Sequence, residues 1–347
     1  MARPRSRAAL AIVAALGATL LAGCAHSGGT GGLTGGSGGP PDNAGAPQVL
    51  IGVVTKTDNN PFFIRIRDAA VTAAGQWRGA KVLPMAGKFD GDNDGQVAAV
   101  EQLLQAGVKG ILITPSSSTG IVDVLRKARA QGVLVIVLDT ETTPPDVGDA
   151  TYATQNTVAG EQQGAYLKAA LGSTPPKIVM LDGSPGSSVD EQRHAGFLRG
   201  FGLAPGAPEV LAAMPTNGDA ARAEDAMTQL LAQHPDLNGV YTVDEPAAQG
   251  AHEALVAHGA ADRVKVATID GSCPGVLAVR ANRYVATVMQ FPTAMATRGV
   301  DAVMAFALRG QRPPAGVHDT GSQVVATSEL DGVPARDVSW GLQNCWG

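Results

Sequence analysis

Five apolar runs in this chain each end on a side chain able to hold a hydroxyl group. Asp139 follows Val133 to Leu138, and Asp182 follows Ile178 to Leu181. Asp244 follows Val240 to Val243, Asp270 follows Val264 to Ile269, and Gln290 follows Ala286 to Met289. An ionised carboxylate only accepts hydrogen bonds, and charge-assisted bonds are about twice as strong as neutral ones. An amide both donates and accepts. One such Asp could equally be a helix cap. Several delivered to the same edge of a sheet make a polar cleft. Near the start of the globular region, Asp58-Asn59-Asn60-Pro61-Phe62-Phe63 follows the apolar run Val49 to Val54. Asn60 is a good N-cap and Pro61 suits the first helical position. Phe62 and Phe63 then stand in the first turn, where an aromatic face can cover the C–H face of a sugar. Acceptors beside aromatics suit a carbohydrate or polyol better than phosphate, nucleotide or peptide.

These residues need a scaffold, and the chain alternates strand-like and helix-like segments from residue 49 onward. Strands are expected at 49–55, 80–84, 109–114, 133–138, 150–154, 177–182, 208–213, 238–243, 264–269 and 284–289. Helical patterns fill most gaps: 61–77, 94–106, 119–131, 157–170, 190–201, 219–233, 246–258, 274–281 and 292–309. Most strands are continuous apolar runs, as buried parallel strands are. The rhythm predicts doubly wound parallel sheets. The number of strands, with a weaker seam near 140–156, predicts two such lobes with a ligand cleft between them.

The chain has 347 residues, 16% charged and 44% hydrophobic, with net charge −5. That is a globular composition large enough for two domains. Mild acidity gives no electrostatic reason to bind nucleic acid. Aromatics are only 4%, so Val, Leu, Ile and Ala must fill the core. Arg3, Arg5 and Arg7 precede the apolar stretch Ala8 to Leu21, which is short for a membrane span and right for a signal peptide. It ends in Leu21-Ala22-Gly23-Cys24, which resembles the bacterial lipobox, whose Cys is acylated. Residues 1–23 are therefore expected to be a lipoprotein signal peptide and Cys24 a lipid (palmitate-type) anchor on the extracytoplasmic face of the membrane. Residues 24–47, rich in Gly and Ser, read as a flexible tether. Cys273 and Cys345 remain as an even pair in an exported compartment, and a disulfide between them is expected.

With these residues in place, the chain resembles the periplasmic sugar-binding proteins of ABC importers, the type I periplasmic binding proteins. It looks like their ribose-binding group and most like the fructose-binding branch. The likeness rests on Asn59-Asn60-Pro61-Phe62-Phe63, Leu138-Asp139-Thr140, Asp244-Glu245-Pro246-Ala247-Ala248, Asp270-Gly271-Ser272-Cys273-Pro274-Gly275, Ala286-Thr287-Val288-Met289-Gln290 and the terminal Cys345-Trp346-Gly347. The resemblance implies a sugar site built from Asn60, Phe62, Phe63, Asp90, Asp139, Asn156, Arg193, Asp244, Asp270 and Gln290. It implies three hinge crossings near 154, 290 and 319. The first lobe would hold 48–154 and 291–319, the second 155–290 and 320–347. Position 244 is Asp where the family usually has Asn, and position 155 is Gln where Asp is common. Thr140 replaces an Arg of ribose binders, and Gly218 sits near a position where they carry an aromatic. These departures leave fructose-like ketoses, pentoses and linear polyols all open.

Other motifs carry less. Asp90-Gly91-Asp92-Asn93-Asp94-Gly95, with Glu101, fits the calcium-loop pattern, but a strand rather than a helix precedes it. It reads as a polar turn capping the next helix, with Asp90 able to reach the cleft rim. His252-Glu253 and His258 miss the zinc-protease spacing, because the second His falls at i+6. The Gly-rich run 183–188 lacks the Lys of a phosphate loop and reads as a cleft loop. No metal, cofactor or catalytic set is expected. The function expected is a monomeric, lipid-anchored solute receptor that passes a sugar or polyol to ABC permease subunits. The alternative is a sensory lipoprotein presenting a bound signal to a membrane kinase or chemoreceptor. A repressor is disfavoured by the signal peptide and the lack of a helix-turn-helix. A hydrolase or isomerase has no motif.

Overall fold

The computed structural model describes residues 48–330 and 332–347. The signal segment, Cys24 and the tether lie outside these described residues. Two six-stranded sheets form the two lobes. The first sheet takes β1 (Val49–Thr55), β2 (Ala80–Ala86), β3 (Gly110–Ile113), β4 (Leu134–Leu138), β5 (Ala150–Ala153) and a late strand, β11 (Val317–Asp319). Its order is β11-β5-β4-β3-β1-β2, all parallel. The second takes β6 (Ile178–Asp182), β7 (Val210–Pro215), β8 (Gly239–Thr242), β9 (Lys265–Asp270), β10 (Ala286–Met289) and β12 (Gln323–Ala326). Its order is β12-β10-β9-β8-β6-β7, parallel except for the antiparallel β12 edge. Each lobe thus repeats the doubly wound order 2-1-3-4-5, in which the crevice beside the first strand is the natural ligand position.

Helices cover both faces. They are α1 (Pro61–Gly75), α2 (Asn93–Gln105), α3 (Val122–Ala130), α4 (Asn156–Leu171), α5 (Ser188–Phe201), α6 (Ala220–Gln233), α7 (Glu245–Ala257), α8 (Cys273–Arg280), α9 (Pro292–Arg309) and α10 (Val338–Asn344). The central strands are buried on both faces, β3 and β4 along their whole length, which is why they read as unbroken apolar runs. The core of the first lobe joins Val49, Ile51 and Ile66 to Met295, Val300 and Val303, so α9 packs on α1 although it lies far along the chain. In the second lobe, Gly160 and Gly164 of α4 face Gly196 and Gly200 of α5. A Cβ at any of the four would collide with the carbonyl oxygens of the opposite helix. This close approach fixes α5 and with it Arg193.

The chain crosses between the sheets three times: between β5 and α4, between β10 and α9, and between β11 and β12. β11, β12 and α10 have no counterpart among the expected elements. β11 is three residues long with an exposed first and last residue. Cys273 and Cys345 are bridged, with Cα atoms 4.9 Å apart. Among the described residues, no helix is long and apolar enough to cross a membrane.

Candidate functional site

Local sequence explains how each side chain reaches the gap between the lobes. Asn60 caps α1, its Oδ1 accepting from the Phe62 N–H at 2.9 Å, and this sets Phe62 and Phe63 in the first turn. Their rings meet edge to face at 5.6 Å. Asp139 ends β4 with φ 62°, a left-handed conformation that costs a non-glycine residue and is held here by the fold. Its backbone N–H donates to the Tyr152 carbonyl at 3.0 Å. Asp244 caps α7 through the Ala247 N–H at 3.0 Å. Asp270 ends β9 and Gln290 follows β10.

These residues converge. Asn60, Phe62, Phe63, Asp90, Asp139, Arg193, Asp244, Asp270 and Gln290 all line one cavity of about 30 Å³ between the lobes. Asn156 does not line it. It is buried one layer behind, where its Oδ1 accepts from Arg193 Nε at 2.8 Å. Its role is to orient the guanidinium, which also donates to the Val243 carbonyl at 2.8 Å and lies 4.0 Å from Asp139. Asp182, at the end of β6, points elsewhere and pairs with His194 at 2.9 Å.

Lys56 and Asp190 also line the cavity, and sequence reasoning passed over both. A lysine after a strand usually means a solvated end, and an acidic residue in a first helical turn usually complements the helix dipole. Instead Lys56 is 2% exposed, ion-paired to Asp90 at 3.4 Å and donating to Ser187 Oγ at 3.3 Å. The only sequence signal for Lys56 was its place at the carboxyl end of β1.

The lobes are closed on each other. Asn60 Nδ2 donates to Asp244 Oδ2 at 3.3 Å, and Ser184 Oγ donates to Asp90 Oδ1 at 3.0 Å. Ser188 N–H donates to Ser118 Oγ at 2.9 Å. The Gly-rich run 183–188 is therefore one of the parts of the second lobe that grip the first. A volume of about 30 Å³ is one water's share of the liquid. With the lobes in this position the cavity is too small for a monosaccharide.

Electrostatics follow from burial. Burial raises the Asp139 carboxyl, and Arg193 and Lys56 oppose the rise. Burial pushes Asp190 up to about 7, with Lys56 opposing and Asp90 reinforcing. Asp244 rises to about 6, again by burial first. Asp270 is raised well above the ordinary range by burial, with Glu245 and Asp244 adding to it. Burial alone would lower Lys56, but Asp90, Asp190 and Asp139 outweigh it and raise the ammonium. Two oxygens of the cavity residues, Asp139 Oδ1 and Gln290 Oε1, are buried without a hydrogen-bond partner.

Behind the cavity stands the C-terminal tail. Trp346 is buried, and its Nε1 donates to the carbonyls of Asp270 (3.2 Å) and Gln290 (3.1 Å). Its ring meets Phe62 edge to face at 5.6 Å. The calcium-loop residues are engaged otherwise: Asp92 caps α2 and Glu101 pairs with Lys127 at 2.8 Å.

Residues 51–312 match the periplasmic binding protein domain family. The chain belongs to that family. The ribose import binding protein RbsB of Salmonella typhimurium is 31% identical over 72% of this chain and 82% of its own length. RbsB of Bacillus subtilis is 30% identical over 76% of this chain and 85% of its own. Among solved structures, an ABC transporter solute-binding protein of Mycobacterium smegmatis with bound glycerol superposes with TM-score 0.71 at 28% identity, covering 80% of this chain and 93% of its own. Another, from Agrobacterium vitis with bound D-fucose, superposes with TM-score 0.76 at 24% identity over 86% of this chain and all of its own. As a periplasmic binding protein, the chain is of a solute-capturing family rather than an enzyme family.

Proposed function

We propose that this periplasmic binding protein captures a sugar or linear polyol between its lobes and delivers it to the permease of an ABC importer. One observation carries the reading: Asp139 Oδ1, with the Arg193 guanidinium no nearer than 4.0 Å, and Gln290 Oε1 are buried acceptors without a hydrogen bond in a cavity walled by Phe62 and Phe63. A buried acceptor left unpaired costs about 1–3 kcal/mol, which a ligand hydroxyl recovers. The aromatic rings supply the apolar face that a sugar also presents. The ribose import relatives and the glycerol-bound structure support the same ligand class.

Ligand favours closure only by touching both lobes at once. Asn60, Phe62, Phe63, Asp90 and Asp139 would bind from the first lobe (48–154 and 291–319). Arg193, Asp244, Asp270 and Gln290 would bind from the second (155–290 and 320–347), with Asn156 behind Arg193. The closed form would then dock on the permease as a monomer. The apolar leader ending at Cys24 supports a lipid anchor, with residues 24–47 as the tether. Acyl labelling of Cys24, lost with release from the membrane fraction in Cys24→Ala, is the outcome expected of that anchor.

The test is a thermal-shift panel of pentoses, hexoses and polyols. A ligand held by the native state alone raises the melting midpoint. A rise with one or a few of them is expected, and a flat response to every carbohydrate would remove the assignment.

A further inference from the structure

The charges of the cleft do not balance. Five carboxylates line the cavity, Asp90, Asp139, Asp190, Asp244 and Asp270, against Lys56 and Arg193. Both cations are already engaged. Lys56 pairs with Asp90, and Arg193 is spent on Asn156, the Val243 carbonyl and Asp139. Asp244 and Asp270 receive neutral donors only. Asp244 accepts from Asn60 Nδ2 and the Ala247 N–H. Asp270 accepts from Gln290 Nε2 at 2.9 Å and the Glu245 N–H at 3.2 Å.

The unmet polar demand has the same sign. Asp139 Oδ1 and Gln290 Oε1 are both acceptors. Ligand hydroxyls can meet those two, but beside Asp244 and Asp270 a hydroxyl would bring lone pairs of its own, whereas an ammonium supplies three donors, no acceptor and a positive charge. A carboxyl shielded from water and without a cation relieves the cost by holding its proton, as the raised Asp244 and Asp270 do, and a cation bound beside them offsets the same cost in the ionised form. There is also room at this end. Asn60, Gly218 and Asp270 line both the cavity and an adjoining depression of about 700 Å³ that reaches Glu245 and, farther out, His252, Glu253 and Arg283.

We propose that this cleft selects a hydroxylated ligand bearing a protonated amine, an amino sugar or amino polyol, whose ammonium sits against Asp244 and Asp270. The proposal rests on the sugar-binding reading above. Hydroxyls of the same ligand meet Asp139 and Gln290, and its ring lies on Phe62 and Phe63. Gly218 suits the amine end, since it brings no side chain between the ligand and the Asp244 carboxylate it faces.

The experiment is calorimetry on matched pairs: 2-amino-2-deoxy-D-glucose, its galacto and manno isomers and 1-amino-1-deoxy-D-fructose, each against its neutral parent sugar. Working at about pH 6.5 keeps the amines protonated, below the ~7.7 of an ordinary α-amine. The expected result is at least one pair in which the amine binds about tenfold or more tighter than its parent, as charge-assisted bonding to a carboxylate predicts. In Asp244→Asn, whose side chain still caps α7, the ratio of amine to parent affinity is expected to fall by about fivefold or more. Parents that bind as tightly as their amines in every pair, or a ratio unmoved by Asp244→Asn, overturn this proposal alone. No binding by any member of any pair, neutral sugars included, overturns the carbohydrate assignment with it.

Discussion

Gln96 on α2 and Gln163 on α4 are buried glutamines of the first and second lobe, at places that do not correspond in the strand order. Gln96 is fully buried, and its Nε2 donates to the carbonyls of Thr55 (3.0 Å) and Thr114 (2.8 Å), tying the end of β1 to the end of β3. Gln163 is also fully buried and donates to Thr242 (2.9 Å) and Ala267 (2.7 Å), tying β8 to β9. In each half a buried amide thus stitches two neighbouring strands, though not the same pair. What the strand ends then present differs. The first lobe gives the aromatic wall and Lys56, with Asp90 and Asp139. The second gives Arg193 with Asp190, Asp244 and Asp270, and Trp346 as a buttress behind the aromatic wall. The framework repeats while the cleft lining does not. Ligand choice therefore resides in a few residues after the strands, which can change without disturbing the stitching.

The largest expected effect is at the residue that joins the two linings. Arg193→Met leaves Asp139 without its partner across the lobes and the Val243 carbonyl without its partner within the second lobe. Breaking a buried charge pair costs about 3–5 kcal/mol. We expect loss of the sugar-induced thermal shift together with a clear fall in the midpoint. A variant that kept both would show that the lobes do not depend on this bridge.

Among the described residues, the second lobe alone is stapled. Replacing Cys273 and Cys345 by Ser should cost about 2–4 kcal/mol, read by denaturant unfolding. Because Trp346 bonds the backbone at Asp270 and Gln290, the same variant should also weaken sugar binding. Unchanged affinity with lowered stability would confine the bridge to a purely structural part.

Truncation on each side then compares the linings directly. Asp139→Ala and Asp270→Ala should each lose about 1–3 kcal/mol of ligand binding, or about 5–150-fold in affinity. Calorimetry that found one of them silent would make the site one-sided and take that residue out of it.

The smallest expected effect is with pH, and it belongs mainly to the second lobe. Asp190 and Asp244 stand above the ordinary 3.8, at about 7 and about 6. A raised carboxyl favours the folded, closed form while it is protonated. Its contribution is full below about 3.8 and is lost as pH rises through about 6 to 7. The midpoint of the wild type relative to Asp190→Asn/Asp244→Asn should therefore rise as pH is lowered from about 8 to about 5. A difference that stayed level across this range would contradict the burial of these two groups.

Much of the scaffold was legible because its strands are buried on both faces. Val133 to Leu138 could hardly be anything else, and the strand-end acids were visible as interruptions of such runs. The edge strands were not. β11 contains His318 and Asp319 and buries nothing completely, so it leaves no periodic trace. The converging residues that carried a family pattern were likewise readable. Lys56 and Asp190 were not, since what meets them comes from distant segments, Asp90 and the opposing lobe's Ser187 at Lys56 and the Lys56 charge at Asp190. Asn156 shows the opposite limit: its position marks the site, but its side chain serves Arg193.

The three crossings between the sheets also bear on assembly during synthesis. The half that starts the chain cannot finish its interior until α9 arrives, because Ile66 and Val53 pack with Met295 and Val303. Most of the other half's interior is drawn from one continuous stretch, Leu167 to Tyr284. The later half is thus able to condense first as it leaves the ribosome or translocon, while the earlier one waits as an exposed, unfinished sheet. Chaperone dependence and aggregation should accordingly track lesions in α9 more than lesions in the helices of the contiguous half.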